Sequence, residues 1–123
     1  MVKYYKTHDL LVDFEIAKER EEVSSFLKHL DKFQLLIFDE WLRDNFQLEQ
    51  SRFVLDLIDA RFRSNSCIFV SQIPIEKWHS RLGEPTIADA ILDRIIHDSF
   101  KINLEGDSMR KITANYDCFN IQT

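Results

Sequence analysis

The chain has 123 residues, of which 45% are hydrophobic, and its formal net charge is -5. That length is one domain's worth, and ten phenylalanines can fill a core. The negative charge argues against an autonomous nucleic-acid-binding domain, which would normally be basic. Two cysteines without motif spacing argue against a disulfide framework or a zinc site. No apolar stretch approaches the ~20 residues that cross a bilayer, and the N-terminus has no signal-peptide segment, so we expect a cytoplasmic protein without membrane contact.

The first third of the sequence predicts a strand, two helices and a second strand. Val2–Lys6 is β-branched and aromatic, which is typical of a strand. Thr7 offers an N-cap for a helix whose apolar residues recur at helical spacing. Residues 23–30 have the spacing of a second amphipathic helix. The unbroken apolar run at residues 35–38 predicts a strand that is buried on both faces.

The middle of the chain predicts another helix and another buried strand. Residues 47–63 carry one apolar stripe, which is typical of a helix. Residues 67–70 form a second continuous apolar run. Pro74 suits the first turn of a short helix.

The last third predicts one helix and one strand. Thr86 is a candidate N-cap, and Asp89 three residues later completes a pair that resembles a capping box. Phe100–Leu104 alternates apolar and polar residues as a strand does, whereas the sequence from Ile112 has no clear period. Strands that alternate with helices predict an α/β fold with a parallel sheet of about four strands flanked by helices.

Polar residues follow two of the predicted strands. Asp39 and Glu40 end the strand at residues 35–38, and Ser71 and Gln72 end the next one. Open α/β sheets bind ligands at the carboxyl ends of their strands, where an acid can hold Mg²⁺ and a neighbouring Glu can orient a water molecule. The alternative interpretation is a solvated turn at the acids and a helix cap at Ser71 and Gln72.

Arginines admit two interpretations. Arg94 lies in an otherwise apolar helix, where it is either an exposed polar residue or an arginine finger that stabilises charge on a transferring phosphoryl group. Four others alternate with acids, which favours a solvated face: Arg52, Arg61, Arg63 and Arg81.

A receiver domain is a rival interpretation of the same strand ends. Asp39, Ser71 and Lys101 follow the order of a phospho-accepting acid, a hydroxyl and a lysine. A receiver also needs an acidic pair after its first strand, where this chain has only His8 and Asp9, so the motif lacks its context.

Glycine is too scarce for a phosphate-binding loop. Such a loop needs several glycines so that backbone N–H groups can approach the phosphates. Gly83 and Gly106 are the only glycines, and no Gly-x-x-x-x-Gly-Lys-[Ser/Thr] occurs among the 123 residues. We therefore predict that the chain has no Walker A motif.

Four segments together resemble a known family. They are Leu35-Leu36-Ile37-Phe38-Asp39-Glu40-Trp41, Ser71-Gln72-Ile73-Pro74 with Trp78-His79, Ala88-Asp89-Ala90-Ile91-Leu92-Asp93-Arg94, and Glu105-Gly106-Asp107-Ser108-Met109-Arg110-Lys111. The combination is similar to the IstB-like transposition helper ATPases, which are related to DnaC within the AAA+ class. The resemblance covers residues 2–111 and departs at Leu42, where the family normally has glycine in Trp-Gly-Leu.

The resemblance implies a P-loop NTPase (AAA+) core that is truncated at its N-terminus, without the family's first strand and Walker A loop. It implies ATP and Mg²⁺ as ligands, and an assembly with homologous subunits, a transposase and DNA. By position, Asp39 is the Walker B acid that holds Mg²⁺, Glu40 is the catalytic Glu, and Gln72 with Ser71 is at sensor 1. Arg94 is the arginine finger, and Arg110 is a second basic contact near the nucleotide or the interface.

Two functions follow as hypotheses. In the first, residues 1–111 are a partial AAA+ core followed by a tail at residues 112–123, and this part is not ATPase-competent alone. In the second, the chain is a non-catalytic interaction module that joins full-length subunits through the face that carries Arg94.

Overall fold

The computed structural model describes residues 1–61, 64–96, 100–104, 110–114 and 118–122, the last three ranges as backbone. The elements in chain order are β1 (Val2–Lys6), α1 (Thr7–Glu19), α2 (Val23–Asp31), β2 (Leu35–Asp39), α3 (Leu48–Arg61), β3 (Ser66–Ser71), a 3₁₀ turn (Ile75–Lys77), α4 (Trp78–Arg81), α5 (Pro85–Ile96), β4 (Phe100–Leu104), β5 (Arg110–Ala114) and β6 (Cys118–Gln122). None of the described helices is both long and apolar enough to cross a membrane.

The sheet confirms the predicted α/β class. Its strand order is β1-β2-β3-β6-β5-β4, and β1, β2, β3 and β6 are parallel. The strand β5 runs antiparallel to β6 and to β4. The helices α1 and α2 connect β1 to β2, and α3 connects β2 to β3, as βαβ units require.

The hydrophobic core lies on one face of the sheet. Alternate residues of β2 and β3 point into it, namely Leu36, Phe38, Cys67 and Phe69, and all four are fully buried. Helices supply the other side of the core, with Leu10, Leu11 and Phe14 from α1, Leu30 from α2, Phe53, Val54, Leu57 and Ile58 from α3, and Ala88, Ile91 and Ile95 from α5. The helices therefore share one apolar layer against the sheet.

The prediction of about four strands was too low. Residues 110–114 and 118–122 form β5 and β6, where the sequence pattern predicted no element. The segment Cys118–Gln122 has only two apolar residues in alternation, Phe119 and Ile121, which is too short a signal for a strand. Pairing with β3 and β5, and not local pattern, makes it a strand.

The N-cap predicted at Thr7 was wrong. Helix α1 begins at Thr7 itself, and Lys6 is the N-cap residue without a side-chain hydrogen bond. The hydroxyl of Thr7 is buried and donates instead to the backbone oxygen of Asp39, at 2.8 Å. This bond joins the start of α1 to the end of β2.

The prediction that Arg61 lies on a solvated face was also wrong. The side chain is fully buried, and its guanidinium donates to the backbone oxygens of Leu30 (2.8 Å), Phe33 (2.7 Å) and Ser66 (3.0 Å). It thereby joins the end of α2 to the start of β3. Arg63 lies outside the described residues.

The helix α5 is capped two residues earlier than predicted. It begins at Pro85, and the backbone oxygen of Glu84 accepts the first helical bond from Ala88 at 2.9 Å. The Glu84 carboxylate accepts from the backbone N–H of Ile87 at 2.8 Å, so Glu84 and not Thr86 is the N-cap. Asp89 contacts His79 instead, at 2.8 Å.

The Glu84 cap predicts a pH-dependent contribution to stability. Hydrogen bonds from the backbone N–H groups of Ile87 and Thr86 hold the pKa of the Glu84 carboxyl below its ordinary value. A lowered pKa stabilises the fold above the unfolded-state pKa and loses that effect as the pH falls through the folded-state pKa. We expect the Glu84→Gln variant to be less stable than the original chain at pH 7, and we expect this difference to be smaller at pH 3.

Urea denaturation at both pH values measures this difference. Glu22→Gln is the matched control, since Glu22 is the N-cap residue of α2 but makes no side-chain cap hydrogen bond. A Glu84→Gln effect that is equal at the two pH values would contradict the assignment of the charged cap.

Candidate functional site at the carboxyl edge of the sheet

Asp39 is held from both sides at the end of β2. The backbone N–H of Glu40 donates to Asp39 Oδ1 at 2.8 Å, and the hydroxyl of Tyr4 donates to Asp39 Oδ2. Thr7 fixes the backbone oxygen of the same residue. Each carboxylate oxygen can accept more than one hydrogen bond, so Asp39 keeps acceptor capacity toward a ligand.

The neighbouring acids affect the pKa of Tyr4. The hydrogen bond to Asp39, then burial, then the negative charges of Asp39 and Glu40 raise the pKa of Tyr4 to about 12. The phenol therefore stays protonated and remains a donor at neutral pH. The sequence identified Tyr4 only as a strand residue; its position opposite Ile37, two residues before Asp39, depends on the register of β1 and β2.

Glu40 begins a strained turn. Its φ is 54° and that of Leu42 is 60°, a left-handed conformation that residues other than glycine rarely adopt. The Glu40 carboxylate pairs with the guanidinium of Arg43 at 2.8 Å, and both side chains are partly exposed. Strained residues of this kind persist where the surrounding structure holds them, and they concentrate at functional sites.

The strand β3 holds this turn in place. The backbone N–H of Trp41 donates to Val70 O at 2.8 Å, and the hydroxyl of Ser71 donates to Trp41 O at 2.5 Å. Ser71 is buried and also accepts from the backbone N–H of Ile73 at 3.0 Å. The Ser71 hydroxyl therefore donates one hydrogen bond to the backbone and accepts another from it. This arrangement is close to the capping role that the sequence allowed as the alternative interpretation.

A cluster of aromatic rings supports the turn from beneath. The ring of Trp41 is fully buried and contacts Phe38, Phe69 and Trp78 with centroid distances of 5.8, 4.7 and 6.1 Å. The indole N–H of Trp78 donates to Ile73 O at 2.8 Å. Residues after β2 and residues after β3 are thus packed on one aromatic support.

The ends of β2 and β3 enclose one cavity. Its volume is ≈ 180 Å³, and it is lined by Asp39, Glu40, Trp41, Arg43, Val70, Ser71, Gln72 and Ile73. The structure therefore brings together four of the predicted site residues: Asp39, Glu40, Ser71 and Gln72. Gln72 is exposed, so its amide is accessible from solvent.

Arg94 lies apart from this cavity. Its Nε donates to Asp59 Oδ1, and its Nη1 donates to Ala90 O at 2.8 Å. Asp59 belongs to α3, so the ion pair joins α5 to α3. Arg110 is the first residue of β5, and its side chain lies outside the described residues.

Comparison with known proteins identifies the family of this chain. The family model for IstB-like ATP-binding proteins matches residues 1–116. The chain belongs to this family. Membership confirms the resemblance that the sequence segments indicated.

Individual relatives agree with the family match. Over 110 residues the chain is 33% identical to the insertion sequence ATP-binding protein y4pL of Sinorhizobium fredii, and these cover 89% of this chain and 45% of y4pL. It is 35% identical over 107 residues to the ATP-binding protein of insertion sequence IS232 from Bacillus thuringiensis, covering 87% of this chain and 43% of that protein. The chain therefore spans less than half the length of these IstB-like relatives.

The Mg²⁺ expected for an IstB-like ATP-binding protein is compatible with the residues present. Among the described residues, no three side chains of His, Cys, Asp or Glu converge on a metal site. A Mg²⁺ ion that is held with a nucleotide needs fewer, because one or two carboxylates, waters and phosphate oxygens complete its shell. The Asp39 carboxylate, with Glu40 beside it, fits that minimal requirement.

The strained backbone at Glu40 predicts that glycine is more stable than alanine at this position, which reverses the usual order of stability. Glycine usually destabilises a protein relative to alanine, but at a left-handed φ it removes the clash of Cβ. We expect Glu40→Gly to be more stable than Glu40→Ala by about 0.5–1 kcal/mol. Both variants lose the ion pair with Arg43, so the comparison isolates the backbone effect.

Thermal or urea unfolding of the two variants measures this difference. Ser24 in the exposed part of α2 is a reference position, where glycine should be less stable than alanine. Greater stability of Glu40→Ala than of Glu40→Gly would contradict the strained turn.

Proposed function

We propose that the chain supplies the carboxylate side of an ATP site in an IstB-like AAA+ ATPase that assists transposition of an insertion sequence. One observation carries the proposal: the acids Asp39 and Glu40 share a cavity with Gln72 at the carboxyl edge of a parallel sheet. The relatives named as insertion sequence ATP-binding proteins support the ligand. The proposed setting is cytoplasmic, with homologous subunits, a transposase and DNA as partners.

The proposed roles follow the chemistry of each side chain. Asp39 holds Mg²⁺, directly or through water, and Mg²⁺ when bound neutralises charge on the phosphates. Glu40 orients and polarises the attacking water. Gln72 approaches the γ-phosphate, whereas Ser71 fixes the turn that carries the acids.

Arg94 has a proposed role toward a neighbouring subunit. An arginine finger acts on the ATP of another subunit, which agrees with the finding that Arg94 does not line this chain's cavity. Its guanidinium would then exchange Asp59 for the phosphate of the neighbouring site. For Arg110 we propose a second basic contact near the nucleotide or the interface.

ATP hydrolysis by this chain alone is not expected. The 123 residues contain no Gly-x-x-x-x-Gly-Lys-[Ser/Thr], and backbone N–H groups of that loop supply most phosphate contacts in P-loop proteins. A second function, as a non-catalytic interaction module, is favoured by a separate observation. In the part of the chain that the structure describes, the helices of the core pack on one face of the sheet, and Val2 and Tyr4 are more than half exposed.

Isothermal titration with Mg-ATP tests the proposed ATP site. The chain alone should show no binding at micromolar concentrations, because it lacks the phosphate-binding loop. A mixture of the chain with the part of y4pL that it does not match should bind ATP in a Mg²⁺-dependent manner. Asp39→Asn should abolish the Mg²⁺ dependence in that mixture.

Two outcomes would contradict the proposal. One is micromolar ATP binding by the chain alone, and the other is unchanged Mg²⁺ dependence in the Asp39→Asn mixture. Asp44→Asn is the control, since Asp44 is an exposed acid in the same loop and does not line the cavity.

A further inference from the structure

The strand β6 occupies the second edge of β3. One edge of β3 pairs with β2, and the other pairs in parallel with β6 along residues 67–71, so that Gln122 lies beside Ser71 at the carboxyl end. The other edge of β6 pairs with β5. The match to the model for IstB-like ATP-binding proteins ends at residue 116, whereas β6 begins at Cys118. A segment from outside the family match therefore closes an edge of the parallel sheet.

The second edge of β3 is also the position from which a phosphate-binding loop reaches the candidate site. Residues at the ends of β2 and β3 line the cavity, and its lining among the described residues includes none from β1. The strand that precedes such a loop, the P-loop strand, must therefore end beside β2 and β3. Both edges of β2 are already paired, with β1 and with β3. A strand paired with β3 is about 5 Å from it, whereas a strand outside β1 is about 14 Å from β3.

The strand β6 has the direction of a P-loop strand but lacks the loop. A strand whose loop follows at the carboxyl edge must run parallel to β3, as β6 does. The five residues of β6 include no glycine, and the only glycines of the chain, Gly83 and Gly106, precede it. The strand β6 thus fills the place beside β3 without the glycine-rich loop whose backbone N–H groups bind phosphates.

The composition of β6 makes the segment replaceable. Strands inside parallel sheets are normally continuous runs of aliphatic residues, as in Leu35–Phe38 of β2. In β6, Asn120 interrupts the apolar residues Phe119 and Ile121, and asparagine is depleted in strands. A continuous aliphatic strand would therefore pair with β3 more favourably than β6 does.

We infer that β6 is an autoinhibitory strand of the proposed ATP site. While β6 pairs with β3, a P-loop strand from another IstB-like polypeptide has no access to that edge, and its loop does not reach Asp39 and Gln72. Release of β6 frees the edge, and the P-loop strand then pairs in its place. This regulation rests on the proposed function, because it concerns the access of a phosphate-binding loop to that site.

Substitutions in β6 test its pairing with β3 in the chain alone. Ile121→Pro removes a backbone donor from a strand that is paired on both edges, so it should release β6. Ile121→Val is the matched control, because it keeps the donor and a β-branched side chain. Hydrogen exchange at β3 should be faster in Ile121→Pro than in Ile121→Val, with exchange at β1 unchanged. Equal exchange at β3 in the two variants would overturn the inference.

Titration with the part of y4pL that the chain does not match, in buffer without nucleotide, measures access to the edge. Competition by β6 lowers the apparent affinity in proportion to the fraction of chains in which the edge is free. We expect Ile121→Pro to bind this polypeptide at least about tenfold more tightly than Ile121→Val or the original chain. A chain of residues 1–116, the part that the family model matches, should bind as tightly as Ile121→Pro.

Three further results would overturn the inference. The first is equal affinity of the original chain, Ile121→Pro and the chain of residues 1–116. The second is absence of binding by all three. The third is loss of folding, measured by circular dichroism, in both altered chains, because β6 would then be a necessary part of the fold. Tighter docking without binding of Mg-ATP would instead contradict the proposed function alone.

Discussion

The structure depends on one constraint, the common direction of its crossover connections. The strands β1, β2 and β3 are added in the same direction, so right-handed connections place all their helices on one face. That single layer of helices concentrates the buried apolar residues on the core side of the sheet. Among the described residues, it leaves the opposite side of β1 to β3 without a helix. The position of the core and the exposure of the opposite face are therefore consequences of one topological property.

The carboxyl edge combines firm support with local strain. Backbone bonds from Trp41 to Val70 and from Ser71 to Trp41 connect the turn after β2 to the end of β3. The left-handed residues Glu40 and Leu42 persist because these bonds and the aromatic cluster hold the turn. At Leu42, a fully buried side chain offsets part of the cost of the backbone conformation.

Sequence patterns were most informative where a signal was long and local. The apolar runs that became β2 and β3 predicted two buried strands of a parallel sheet, and the structure shows that these strands are neighbours, with Asp39, Glu40, Ser71 and Gln72 at their ends. Patterns were poorer where tertiary pairing decides the structure. Strand β6 forms through its pairing with β3 and β5, and its short alternation was not a sufficient signal.

Single residues with non-local partners could not be predicted at all. The buried Arg61 has the same sequence surroundings as a surface arginine, and only the backbone oxygens at the end of α2 and the start of β3 explain its burial. Tyr4 reaches Asp39 because of register, which the sequence does not specify. The cap at Glu84 is a local contact, but it was missed because threonine is a more common capping residue type than glutamate.

The measurement that tests this account most directly is methyl NMR with a soluble paramagnetic agent. Attenuation by such an agent reports how close each methyl group is to solvent. We expect stronger attenuation for Val2, Ile37, Ile68 and Val70, which lie on the face of the sheet opposite the core. The account predicts little attenuation for core methyls, such as those of Leu36, Leu57 and Ile91. Equal protection of the two sets would contradict the difference in exposure between the two faces of β1 to β3.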